Sequence, residues 1–79
     1  MALLISVGPA GDGWAVRSDV LDEDLVFDAG GPAERAARAL ASEHAAGGGQ
    51  AEVQIFLRDG ALAGRFLHPA QGEPMALAS

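Results

Sequence analysis

At 79 residues and without a cysteine, this chain is one small domain that neither a disulfide framework nor a thiolate metal site can support. Eleven acidic residues against five arginines and no lysine leave a formal charge of −6, which disfavours general binding to a phosphate backbone. No run approaches the roughly 18 apolar residues of a membrane span, and Met1 to Val7 is too short for a signal segment, so the expectation is a cytoplasmic protein.

Leu3, Ile5 and Val7 alternate with Leu4 and Ser6, which predicts a first strand. Gly8-Pro9-Ala10-Gly11-Asp12-Gly13 is turn chemistry, and Trp14, Val16 and Ser18 alternating with Ala15 and Arg17 predict a second strand. An acidic connection holding Asp19, Asp22, Glu23 and Asp24 leads to a short third strand, Leu25-Val26-Phe27. Gly30-Gly31-Pro32 breaks the pattern, and Pro32 suits the first position of a helix running to about Ala46, with Glu34 near the positive end of its dipole. Gly47-Gly48-Gly49 ends that helix. Its apolar stripe is Ala33, Ala36, Ala37, Leu40 and Ala41, so it can sit close to a sheet but fills little space. Core volume is therefore expected from Trp14, Phe27, Ile55 and Phe66.

The stretch from Val53 to Phe66 folds into a hairpin on paper. Asp59-Gly60 tolerates the positive φ of a two-residue type I′ turn, which pairs Arg58 with Ala61. That register puts Val53, Ile55, Leu57, Leu62, Gly64 and Phe66 on one face. Gln54, Phe56, Arg58, Ala61, Ala63, Arg65 and Leu67 fall on the other. The predicted fold is α+β in two layers, an antiparallel sheet with one helix on one face, in the order β-β-β-α-β-β. The domain is expected to span residues 1–68, with 69–79 a loose tail.

Catalysis needs a nucleophile, base or metal beside a partner, and the inventory here is thin. His44 falls in the last helical turn, where the dipole alone favours it, and no serine sits in a strand-turn-helix elbow. The Asp19–Asp24 run lacks the spaced glycine and distal glutamate of a calcium loop. Gly8, Gly11 and Gly13 lead into a strand, whereas a phosphate-cradling loop leads into a helix. No catalytic residue, metal or cofactor is expected.

Strand parity yields one clustering of interest. With the helix over the Val53 face, Leu4, Arg17, Phe56, Arg58, Arg65 and Leu67 share the open face of the sheet, with Glu52 near its edge. Arginine among aromatic and aliphatic side chains suits a protein contact, either with a partner protein or with a second copy of the chain. Nucleic acid is the competing partner, since sheet faces stack bases on aromatics, but Phe56 is a single ring on an acidic chain.

With its elements in this order, the chain resembles a bacterial family catalogued as domain of unknown function 2188, from Leu3 to about Phe66. The likeness rests on Gly13-Trp14-Ala15-Val16 after a turn and Val26-Phe27-Asp28 before the helix. Glu34, Ala37 and Leu40-Ala41 follow, then Val53-Gln54-Ile55-Phe56 and Asp59-Gly60. Phe56 stands where the family pattern has a polar residue. The resemblance implies a fold and supplies no activity, cofactor or functional residue.

Overall fold

The computed structural model describes residues 2–70, so the expected tail lies, from residue 71 onward, outside the described residues. The elements are β1 (Leu3–Ala10), β2 (Gly13–Ser18), β3 (Leu25–Phe27), α1 (Gly30–Ala46), β4 (Ala51–Phe56) and β5 (Leu62–His68). This is the predicted α+β order, with one helix packed on a five-stranded sheet. Strand order is β3-β2-β1-β4-β5. Three of the neighbouring pairs are antiparallel, and β1 with β4 is parallel. The helix supplies the crossover that a parallel pair requires.

β1 and β2 continue further into the turn chemistry than expected. Ala10 pairs with Gly13, leaving only Gly11-Asp12 to reverse the chain. Gly11 has φ +59° and Asp12 does not have positive φ, the signature of a type II′ turn. Pro9 lies within β1, but beyond the last β1–β4 pair, Val7–Ile55. Its missing N–H therefore deprives no neighbour on that side.

The helix starts at Gly30 rather than at Pro32, with Ala29 as an extended N-cap that has no capping side chain. Pro32 thus occupies a later place in the first turn, where N–H groups still lack intrahelical partners. Glu34 lies beyond that turn and no acidic residue stands within it. Gly30 lets the helix begin close against Trp14. A Cβ there would meet the Trp14 ring at 3.3 Å.

Ala33, Ala37, Ala41 and Ala45 are buried at a spacing of four and lay the helix close to the sheet. The largest fully buried side chains are Ile5, Val7, Val16 and Val53. This corrects the expected source of core volume. Trp14, Phe27, Ile55 and Phe66 pack around that centre but are only partly buried. The short alanine stripe leaves a thin core that β-branched residues can fill, and the larger rings sit at its margins. Arg38 lies over the Phe66 ring at 4.5 Å, covering one of those margins.

The β4–β5 hairpin follows the predicted register only at its far end. Val53 pairs with Phe66, Gln54 with Arg65 and Ile55 with Gly64, as expected. Phe56 then pairs with Leu62, after a register shift between Ile55 and Phe56. Gly60 has positive φ and Asp59 does not, which rules out a type I′ turn. Gly60 N–H donates to the Leu57 carbonyl at 2.9 Å, and Leu57 N–H to the Ala61 carbonyl at 2.8 Å. The Asp59 carboxylate accepts from Ala61 N–H at 2.9 Å. The connection is a three-residue loop, a turn followed by a glycine bulge, and the irregularity at Ala63 absorbs the extra residue. Leu57 and Leu62, expected on the core face, are exposed.

Candidate interaction surface

The face of the sheet turned away from the helix is built by cross-strand rows. Where the strands pair, Leu67, Glu52 and Leu4 form one row. The next is Arg65, Gln54, Ser6 and Arg17. A third runs from Leu62 and Phe56 past Gly8 to Ala15 and Val26. Leu4 is 48%, Leu62 48%, Leu67 69% and Val26 70% exposed, so two apolar rows flank a polar strip. Exposed apolar side chains thus lie on both sides of the polar strip of this one face.

The structure brings together five of the six residues expected here: Leu4, Arg17, Phe56, Arg65 and Leu67. Arg58 does not join them, because the wider turn removes it from the strand. Its Nη1 donates to the Gly11 carbonyl at 3.3 Å, and its Nη2 to those of Asp12 at 2.9 Å and Gly13 at 3.2 Å. The guanidinium also lies 5.1 Å from the Trp14 ring centre. Arg58 therefore ties the β4–β5 turn to the β1–β2 turn, which the parallel β1–β4 pairing places at the same end of the sheet. Replacing Arg58 with Ala should lower stability by about 1 kcal/mol, below the usual range for charged hydrogen bonds because the group is exposed. Lysine, with no planar fork, should recover little of it. Urea unfolding followed by Trp14 fluorescence measures both; an unchanged midpoint in Arg58→Ala would show the clamp to be ornamental.

The two remaining arginines of the face are already paired. Arg17 Nε donates to Asp24 Oδ2 at 2.8 Å, and Arg65 Nε to Glu52 Oε2 at 2.9 Å. Gln54 Nε2 donates to the same Glu52 oxygen at 2.8 Å. Glu52 is not at the edge of the face, as expected, but inside it, between Leu4 and Leu67, with its side chain 16% exposed. The Gln54 amide and the Arg65 guanidinium hold its carboxyl below the usual carboxylate value. A carboxyl lowered in the folded state contributes stability above its unfolded value and loses that contribution as pH falls through the folded one. The urea midpoint should thus fall on acidification through the carboxylate range, and Glu52→Gln should fall less steeply. Parallel pH profiles for the two proteins would show that Glu52 plays no part.

Sequence parity identified the face but not these ion pairs. Asp24 reaches Arg17 only because β3 folds back beside β2. With both arginines engaged, the face offers little uncompensated positive charge to a phosphate backbone.

Two shallow grooves lie beside the sheet, the first sharing Leu67 with the outer face. One, of about 240 Å³, is lined by Ala2, Gln50, Ala51, Leu67, His68 and Pro69. The other, of about 300 Å³, is lined by Leu3, Val20, Leu40, Glu43 and His44. Neither sets a nucleophile beside a base. Among the described residues no group of three or more His, Asp or Glu side chains could hold a metal ion. No helix of the described residues is long and apolar enough to cross a membrane. No family model, curated protein or solved structure matches the chain.

Proposed function

We propose that this chain is a non-enzymatic protein-interaction module that works through the outer face of its sheet. The observation that carries the reading is that Leu4, Val26, Phe56, Leu62 and Leu67 share one face of the sheet, opposite the helix, and four of them are exposed. A domain of this size buries only about 60–65% of its unfolded surface, so covering this face against another protein adds burial that the core lacks. The polar strip between the rows, with its arginines paired to Glu52 and Asp24, supplies hydrogen-bonding groups that can orient a partner. Membership of the domain of unknown function 2188 family remains a proposal resting on the motif order from Gly13 to Gly60. A cytoplasmic location is proposed on the lack of cysteine.

A photoreactive side chain placed in turn at Leu67, Val26 and Ser42 tests the reading in expressing cells. Leu67 and Val26 should each give one discrete protein adduct, identified by mass spectrometry, while Ser42 on the exposed side of the helix gives none. Absence of adducts from both sheet positions, or equal adducts from Ser42, would remove the proposal.

A further inference from the structure

We infer that the partner of this face is a second copy of the chain, packed sheet to sheet about a two-fold axis. This rests on the outer-face reading above and adds the occupant.

Charge complementarity within a single surface is the first support. Arg65 and Arg17 each engage a carboxylate through Nε, leaving their terminal Nη groups directed at no acceptor among the described residues. Glu52 accepts both of its bonds on Oε2, leaving Oε1 with acceptor capacity. Asp24 is likewise engaged through Oδ2 alone. Donors and acceptors in surplus therefore lie on the same face. A two-fold contact offers the surplus donors of each copy to the surplus acceptors of the other, because an isologous interface presents one patch to itself. A partner of one sign would satisfy half of these groups and bury the rest unpaired.

Overall charge does not oppose the contact as strongly as −6 per chain suggests. Two cations and two carboxylates meet on this face, so its local balance is neutral. Glu34 and Glu43 belong to the helix layer on the other side of the sheet. The face has relief that a second copy could engage. Leu4, Leu67 and Val26 project, while Gly8 and Ala15 keep the floor low between Phe56 and Val26.

Size sets the expected strength. Five strands about 4.8 Å apart, crossed over about 20 Å of their length, give roughly 500 Å² per copy. Two such faces reach roughly 1,000 Å², the lower bound of a specific interface. Association in the micromolar range is expected, rather than an obligate dimer.

Sedimentation equilibrium of the full chain from about 1 µM to about 1 mM tests this range. The average mass should climb toward twice that of one chain. Leu67→Glu places a charge at an exposed position and should hold the mass at one chain, with the parental urea midpoint at dilutions where the parent is also a single chain. Arg65→Glu should also weaken association, and the swap Glu52→Arg with Arg65→Glu should restore it. Ser42→Glu on the helix should have no effect. A single-chain mass at every concentration, or undiminished association in Leu67→Glu, overturns the inference. If the chain is single yet the photoreactive Leu67 position captures a different identified protein, the self-association idea fails while the outer-face reading stands. If neither occurs, both fail.

Discussion

Gly13→Ala is expected to cost about 3 kcal/mol or more, among the largest effects of any single substitution in this chain. Gly13 pairs with Ala10 just after the β1–β2 turn. A Cβ at this position would overlap the Phe27 carbonyl oxygen, with the Phe27 carbonyl carbon and Asp28 Cα close behind. These are backbone atoms, so no side-chain rotation relieves the contact. Relief requires β3 to move away from β2, breaking a ladder only three residues long and drawing Phe27 from the core margin. A domain of this length has a total stability of roughly 4 to 12 kcal/mol, so the substitution should remove a large share of it and lower the urea midpoint markedly. Circular dichroism and urea unfolding read the effect directly. A parental midpoint would show that β3 yields easily and contributes little.

Ile5→Ala should cost about 2 to 5 kcal/mol, whereas Leu67→Ala should stay within about 0.5 kcal/mol. Ile5 is fully buried on the central strand, with Val53 and Ser18 as its neighbours across the sheet. The helix and the two adjacent strands are held together there, and little can collapse into the space left by the lost carbons. Leu67 is larger in sequence-based hydrophobicity terms than its energetic role in the isolated chain, because it lies 69% exposed on an edge strand. The pair separates what folds the chain from what the outer face offers to others. Comparable urea midpoints for the two variants would overturn that separation.

Much of this architecture was legible from local pattern. Alternation identified the strands, the glycines and Pro32 marked the helix, and the β4–β5 register from Val53 to Ile55 followed from matching apolar faces. The turn was less determined, since Asp59-Gly60 fits either a two-residue loop or a longer one with a glycine bulge. Choosing the shorter loop put Arg58 on the outer face and Leu62 in the core. The structure reverses both placements. The parallel β1–β4 pairing left no local trace, because it joins segments separated by β2, β3 and the helix. Neither did the Arg17–Asp24 pair, which depends on β3 returning beside β2. Parity could identify the residues of the face. It could not reveal their charge balance, which is set by contacts between strands.

The central place of β1 also bears on how the chain acquires its structure during synthesis. β1 is made first, yet one of its two sheet neighbours is β4, encoded after the helix. Until β4 leaves the ribosome, the nascent chain has at most a three-stranded β1–β2–β3 meander without its parallel ladder. Translation at about 5–20 residues per second is slow beside the roughly microsecond formation of a hairpin, so β1 waits seconds for its second neighbour. Commitment to the native state falls late, when β4 docks alongside β1. A pause between the helix and β4 would prolong the interval in which Ile5 and Val7 are open to chaperones.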